Sequence, residues 1–252
     1  MFQKWLTLAS ILLSIPVLAE KKTEPELDIV LASPWNNQVE LGYQAHSGNS
    51  ESESLNSRVR TEYKSGRHRS YGEWKFYRLD KNNKEDKRQS TFTLQSDYKL
   101  STKTYLYTSF YGINSRYSAY RKDHTLSSGL GYQFLYTKDK VIELEMGPGF
   151  RYQKPNLEKL DGSVHNEPVN EPIFRSNLKV EWQVINNLRL GSEFNLISGQ
   201  SNTSIDSNLS LSNNITDNIA LKIRQSRQLH SRAPEGRSKV DSVFSVNLLF
   251  EF

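Results

Sequence analysis

One alternation pattern constrains the fold of this chain more than any other feature. Between Gln38 and Phe252, twelve segments of about ten residues alternate with a period of two, which is the period of a β-strand. One face of each segment carries no Asp, Glu, Lys or Arg, although 24% of the chain is charged. A charge that faces lipid at the midplane costs about 2–4 kcal/mol, which would exclude charges from such a face. The pattern predicts an all-β fold, a single transmembrane antiparallel β-barrel of about 12 strands.

A soluble β-sandwich is the structural alternative, because its strands alternate as well. Its apolar faces would have to meet inside the protein, and twelve such faces within about 215 residues are many for one sandwich. The barrel is therefore the favoured interpretation.

The last segment, Val240–Phe252, places seven uncharged residues on one face and ends on an aromatic residue. A terminal strand normally frays, so we expect this one to be held by pairing with the first strand, which would close the barrel. Phe250 and Phe252 are predicted to act as the closing signal, through which the barrel-assembly machinery would bind the chain.

The other segments define the predicted lipid-facing surface and its ends. In the fifth segment we assign Tyr105, Tyr107, Ser109, Tyr111 and Ile113 to lipid, and in the sixth the set runs from Leu126 to Tyr136. Connections after even-numbered strands are short, and those after odd-numbered strands tend to be longer, which is typical of periplasmic turns and outer loops. The predicted longer loops include Asp80–Lys87, Asn114–Asp123, Gln153–Glu171 and Leu229–Lys239. Aromatic residues at the short-turn end predict an interfacial girdle, formed by Tyr63, Tyr71, Tyr98, Tyr105, Tyr136, Trp182 and Phe252.

The N-terminal region is predicted to lie outside the barrel. Residues 1–19 read as a secretory signal peptide, with Lys4 before a short apolar run and small residues ahead of a cleavage site near Ala19. Residues 20–37 are polar and contain two prolines, so we expect a periplasmic leader. The barrel is predicted over residues 38–252, in the outer membrane of a Gram-negative cell.

The opposite face of each strand is charged and would line the lumen. Its predicted basic residues include Arg58, Arg60, Lys64, Lys75, Arg151, Arg175, Lys179, Lys222 and Arg224, against a similar number of acidic residues. A pore that selects ions shows rings of one sign, so balanced charges favour interior ion pairs and a narrow or partly occluded lumen. Alternatively, Arg58, Arg60 and Lys64 would form a ladder that attracts an acidic solute.

Other chemistry finds little support in the residues. The chain has no cysteine, and His165 near Asp161 and Glu167 lacks the spacing of a metal site. His46 stands beside Ser47, a pair that could belong to a serine hydrolase site. Neighbouring residues of a strand point to opposite faces, so the two side chains would diverge, and we interpret the pair as the end of a strand. We expect no catalytic residue, no metal, no cofactor and no enzymatic activity. The basic residues are scattered, which argues against nucleic acid as a partner.

Several motifs resemble one bacterial family. These motifs are Trp35, VELGYQAHSGNSESESL from Val39 to Leu55, GLGYQF from Gly129 and GPGFRY from Gly147. They resemble those of the outer-membrane proteins of unknown function named salt-induced outer membrane proteins. The resemblance covers essentially the whole mature chain. It implies a Gram-negative outer-membrane barrel with no established activity and carries over no catalytic residue. The glycines at 129, 131, 147 and 149 would leave a smooth lumenal groove, or a place where another segment packs.

Two functions from different classes follow from these features. The first is an envelope or structural barrel with a narrow, weakly selective passage for small polar solutes, and the second is a porin-like channel for acidic oligosaccharides. An outer-membrane lipid hydrolase is a distant third. Outer-membrane lipids and lipopolysaccharide are expected partners, since basic residues at the outer strand ends suit phosphate: Arg116, Arg121, Lys122, Arg227, Arg232, Arg237 and Lys239.

Overall fold

The protein is a closed antiparallel barrel of twelve strands, which confirms the predicted fold class. The computed structural model describes residues 33–46, 52–156, 167–233 and 238–252. Each strand pairs with its neighbours along the chain, and the last strand pairs with the first. The strands are β1 (Trp35–His46), β2 (Ser52–Ser65), β3 (His68–Lys81), β4 (Lys84–Lys99), β5 (Thr104–Ser115), β6 (Tyr120–Tyr136), β7 (Lys140–Pro155), β8 (Val169–Ile185), β9 (Leu188–Gly199), β10 (Thr203–Asn214), β11 (Ile219–His230) and β12 (Val240–Glu251).

The barrel begins slightly earlier than predicted. β1 starts at Trp35 rather than Gln38, because its ladder with β2 extends to the pair Trp35↔Tyr63. The predicted signal peptide and most of the predicted leader lie outside the described residues, as do Ser47, Asp161, His165 and Arg237. Within the described ranges, no helix is long and apolar enough to cross a membrane.

The terminal strands hold each other, as the alternation of the last segment predicts. β12 pairs with β11 along its length and with β1 from Gln38↔Glu251 to Leu41↔Leu248. Two further backbone hydrogen bonds join Asn37 and Phe252, at 2.9 and 3.0 Å. Phe250 lies opposite Val39 on β1, and Phe252 is 68% exposed.

The outer surface of the barrel is apolar on every strand. Large hydrophobic residues are exposed on this surface, each of them by at least 38%, and they include Leu41, Val59, Trp74, Leu94, Leu130, Phe150 and Phe244. In a soluble protein this surface would have to be covered, whereas a closed barrel in lipid leaves no strand edge unpaired and presents such a face to acyl chains. This architecture is that of an outer-membrane barrel.

The lipid-facing assignment of β5 is wrong. Tyr105, Tyr107, Ser109 and Ile113 are buried, with exposures of 1–3%, whereas Leu106 is 45% and Phe110 36% exposed. The register explains the face, because Leu106 and Phe110 lie opposite Tyr98 and Leu94 of β4, which also face outward. Tyr111 shares the inward face with the other tyrosines. Both faces of β5 are uncharged, so the rule of charge exclusion could not choose between them.

The predicted aromatic girdle is only partly present. Tyr63, Tyr98, Trp182 and Phe252 lie on the outer face at the end of the short turns, and Trp35 joins them with its ring 4.8 Å from that of Tyr63. The other three predicted members face the lumen: Tyr71, whose hydroxyl donates to Gln95 at 3.2 Å, Tyr105 and Tyr136. A register shift between Gln133 and Leu135 turns Tyr136 inward and Leu135 outward.

The connection predicted at Asp80–Lys87 is also different from the expectation. β3 continues to Lys81 and β4 begins at Lys84, so the region is a hairpin closed by Asn82 and Asn83. Both asparagines have positive φ, 48° and 59°, as the two central residues of a type I′ turn require. The strands therefore extend outward beyond the point where the polar composition suggested a loop.

Candidate functional site

The two sides of the lumen are filled to different degrees. Side chains of β4 to β10 pack against one another and bury a continuous polar layer, in which Tyr105 donates to Glu145 at 3.0 Å and Gln95 donates to Glu145 at 2.6 Å. The ring of Tyr105 lies on Gly131, where a built Cβ would stand 2.1 Å from Cζ of the tyrosine. The glycine therefore provides space for another segment, which is one of the two expectations for the lumenal glycines.

Open space remains in the lumen beside this layer, and its two larger parts are separate cavities. The larger has a volume of about 380 Å³, lies toward the short turns and includes residues of β1, β2, β3, β10 and β11 in its wall. The smaller has a volume of about 130 Å³ and lies toward the outer end. Arg58, Lys75, Asn208 and Arg224 line both cavities, so these side chains stand at the narrow level between them.

Five cations surround two carboxylates at this level, and we refer to Arg58, Arg60, Lys75, Lys222 and Arg224 as the cationic collar. At the core of the collar, these cations contact Glu40 on β1 and Glu73 on β3, the two strands that flank β2. Arg60 also contacts Glu62, which it shares with Lys64 outside the collar. Five positive and two negative charges give this group a net charge of +3.

Glu40 is the most buried member of this group, with 1% of its side chain exposed. Its Oε1 lies 2.6 Å from Nη1 of Arg58 and 2.9 Å from Nζ of Lys222, and its Oε2 lies 2.6 Å from Nη2 of Arg224. The carboxylate therefore ties β1 to β2 and, across the closing strand, to β11. Removing one partner of such a buried pair is costly because the remaining charges lose their compensation.

Glu73 performs the same task on the neighbouring strands. It contacts Arg58 at 2.7 Å, Lys75 at 2.7 Å and Arg60 at 3.6 Å. Arg60 reaches Glu62 at 3.0 Å as well, and its guanidinium lies 4.0 Å from the ring centre of Tyr71. These contacts hold the collar cations against the wall instead of leaving them free in the passage.

The structure divides the predicted basic lumenal residues into two groups. Arg58, Arg60 and Arg224 belong to the collar. Lys64 lies nearer the short turns and pairs with Glu62. Lys179 of β8 also lines the larger cavity and lies 3.1 Å from Glu181. The predicted ladder of Arg58, Arg60 and Lys64 is thus present as a set of paired side chains. Each member of it contacts a carboxylate.

Arg151 and Arg175 lie in the packed side of the lumen and away from the collar. Arg151 is fully buried and bonds to Glu171 and to the carbonyl oxygen of Asn202, both at 2.5 Å. Arg175 pairs with Glu145 at 3.0 Å and donates to Asn195 at 2.9 Å. Both arginines have a structural position, since they satisfy buried acceptors between neighbouring strands.

The lumenal residues predicted from the sequence did not include Arg69, which also faces the lumen. β3 begins at His68, and Arg69 shares the inward face with Tyr71, Glu73 and Lys75. It pairs with Asp97 at 2.6 Å and with Glu143 at 3.0 Å, which joins β3 to β4 and β7. Arg69 is separated from Glu73 and Lys75 by an even number of residues, which places all three on the same face of a strand, and this spacing could have identified it.

Charge is distributed unevenly around the lumen, although the total is nearly balanced. The larger cavity is lined by nine cationic and five acidic side chains: Arg58, Arg60, Lys64, Arg69, Lys75, Lys179, Arg189, Lys222 and Arg224 against Glu62, Glu73, Glu181, Glu193 and Glu251. Lining charges of mainly one sign in a confined space attract counter-ions of the other sign. The arrangement can therefore favour an anion over a cation in this cavity.

Comparison with solved structures finds other barrels at low similarity. A KdgM porin shares 12% identity with a TM-score of 0.44 and covers 86% of this chain and 99% of its own. A NanC porin shares 12% identity with a TM-score of 0.45 and covers 85% and 97% of the two chains. The COG4313 outer membrane channel from Pseudomonas putida F1 shares 11% identity with a TM-score of 0.47 and covers 92% and 100%. Similarity at this level carries no information about solute.

Comparison by sequence identifies the family. The uncharacterized protein YdiY of Escherichia coli (strain K12) is 24% identical over 209 residues, which are 80% of this chain and 77% of that protein. Residues 39–252, which include nearly the whole barrel, match the family described as "Protein of unknown function, DUF481". The chain therefore belongs to the DUF481 family of proteins of unknown function.

Proposed function

We propose that this protein is an outer-membrane channel with a narrow passage for small polar solutes and a weak preference for anions. The observation that carries the proposal is the cationic collar, in which five cations share Glu40 and Glu73 at the level between the two lumenal cavities. Each collar cation is already paired, so the electrostatic preference is weaker than in a pore with an unpaired ring of charge.

The cavity volumes favour small solutes. About 380 Å³ is within the usual range of ligand cavities, whereas about 130 Å³ at the outer end is below it. A solute the size of a hydrated ion or a small organic acid fits both spaces. An extended oligosaccharide would have to displace side chains in the outer cavity.

A channel for acidic oligosaccharides is the second candidate, and the basic lining of the larger cavity supports it. Nine cationic side chains there could guide successive carboxylates along the wall. Liposome swelling separates the two candidates, because the second requires uptake of acidic oligosaccharides above that of empty liposomes. Catalysis is not part of either proposal.

Planar-bilayer recording tests the first candidate. Purified protein under a tenfold KCl gradient should give small conductance steps and a reversal potential displaced toward that of chloride. The double variant Lys222→Gln/Arg224→Gln should move the reversal potential toward zero, whereas Lys140→Gln, whose ammonium lies over the Trp182 ring on the outer face, should not. A cation-selective wild-type channel, or no conductance, would reject the proposal.

We further propose a cleavage step near Ala19 and a role in assembly for the aromatic residues of the last segment, Val240–Phe252. Cleavage near Ala19 would release the mature chain, which mass measurement of the protein from outer membranes can check. The aromatic C-terminal strand would be recognised during assembly, in which case Phe252→Ala should lower the amount of folded barrel in membranes. An unchanged amount would contradict this role for Phe252.

A further inference from the structure

A groove on the lipid-facing surface lies near the outer ends of β3 to β6. It has a volume of about 750 Å³ and is separate from both lumenal cavities. Gly112 of β5 lies in register between Phe92 of β4 and His124 of β6, and a Cβ built on it would stand 3.3 Å from the rings of His124 and Phe110. Side chains of β3 and β4 line one side of the groove, and Lys122 and His124 of β6 line the other.

The floor of the groove is apolar and aromatic. Trp74 of β3 lies opposite Phe92 of β4, and these side chains are 38% and 41% exposed on the outer face. Trp74 donates its indole N–H to Ser90 at 2.8 Å, which leaves the ring face available for contact. Aromatic side chains at this depth suit the region where acyl chains meet the headgroups.

The rim of the groove is basic. Moving outward along β4, Phe92 is followed on the same face by Ser90 and then Arg88, about 13 Å from Phe92 at the usual strand rise. Lys122 of β6 lies on the same face and is exposed, and Arg116 closes the rim from the β5–β6 connection. Glu85 pairs with Arg88 at 3.6 Å and with Arg116 at 3.1 Å, so two of the three rim cations share one carboxylate.

We propose that this groove binds the phosphorylated headgroup of an outer-leaflet lipid, with Arg88, Arg116 and Lys122 on the phosphate and Trp74 and Phe92 under the first acyl segments. Charge complementarity decides the occupant, because cations stand directly above an apolar floor on the face that contacts the membrane. A free anion would use the rim and leave the floor without a role, whereas a phosphorylated lipid uses both.

Binding of diphosphoryl lipid A to the full chain in phosphatidylcholine nanodiscs tests the proposal, with native mass spectrometry as the readout. Arg88→Gln/Lys122→Gln should weaken binding about 30-fold, because it removes two positive charges that lie near the membrane surface. The matched control Arg227→Gln/Arg232→Gln removes two exposed cations that the sequence also suggested for lipopolysaccharide but that lie outside the groove. Because the proposal confines binding to the groove, this control should leave binding unchanged. Arg88→Lys/Lys122→Arg should retain binding, since it keeps the charges.

Three results would overturn the site. Equal weakening by the groove and control variants would show diffuse attraction to a basic surface, and unchanged binding in the groove variant would exclude these residues. Displacement of lipid A by millimolar inorganic phosphate would show a free-phosphate site instead of a lipid site. If the double variant does not fold, as judged by its gel mobility before and after heating, Lys122→Gln alone should still weaken binding about fivefold.

Discussion

Replacing Glu40 by glutamine should both destabilise the barrel and increase its preference for anions. The carboxylate contacts Arg58, Lys222 and Arg224 at 2.6, 2.9 and 2.6 Å. Removing one partner of a fully buried ion pair costs about 3–5 kcal/mol. Arg58 keeps Glu73, and Lys222 and Arg224 are each 14% exposed to the lumen, so we expect a loss of about 2–3 kcal/mol.

The effect on ion selectivity follows from the same change. Glu40→Gln raises the net charge of the collar group from +3 to +4. One unit charge about 5 Å from a permeating ion is worth about 0.8 kcal/mol in water, with opposite sign for an anion and a cation. The difference of about 1.6 kcal/mol corresponds to about a fifteenfold change in relative permeability, which screening at 0.1 M salt reduces to several-fold.

Two measurements examine this variant. Guanidinium unfolding in lipid vesicles gives the free energy of unfolding, and the reversal potential in a KCl gradient gives the selectivity. Glu53→Gln, the same chemical change at an exposed position of β2, is the control and should change neither. If Glu40→Gln unfolds like wild type and keeps its reversal potential, Glu40 does not organise the collar.

The remaining predictions concern β5 and its neighbour. Gly131→Val should lower the free energy of unfolding by about 2–3 kcal/mol, because a Cβ built at this position stands 2.1 Å from Cζ of Tyr105. A variant as stable as wild type would contradict the packing of Tyr105 on Gly131. Phe110→Arg, opposite Leu94 and away from the interfacial girdle, places a charge in lipid and should lower the free energy of unfolding by about 2–4 kcal/mol. Tyr105→Phe loses only the hydrogen bond to Glu145 and should cost about 1 kcal/mol. A larger loss of stability for Tyr105→Phe than for Phe110→Arg would contradict the assigned faces of this strand.

The fold was predictable because hydrocarbon excludes charge from one face of nearly every strand. β5 shows where this rule fails, since TYLYTSFYGIN contains no charge on either face, and the face that was assigned to lipid was the wrong one. The neighbouring strand held the missing information. Gly131 lies on the lumenal face of β6, and a bulky ring on the same face of β5 fills the space above it.

The site was predictable in its residue types but not in its arrangement. Alternation placed Arg58, Arg60 and Arg224 in the lumen, and the near balance of charge indicated internal pairing. It could not show that Arg224 of β11 and Arg58 of β2 share Glu40, because that contact depends on how the closing strands are staggered. The uneven distribution of charge around the lumen is a property of the closed barrel and not of any one strand.

A single cysteine at the narrow level measures the central claim most directly. The chain has no cysteine, and Asn208 lines both lumenal cavities beside the collar, so Asn208→Cys supplies one thiol at this position. The rates of modification by a sulfonate-bearing and by a trimethylammonium-bearing methanethiosulfonate report the local potential. We predict faster modification by the anionic reagent, with the difference reduced in Lys222→Gln/Arg224→Gln. Faster modification by the cationic reagent, or no modification by either in the folded barrel, would contradict an anion-preferring passage.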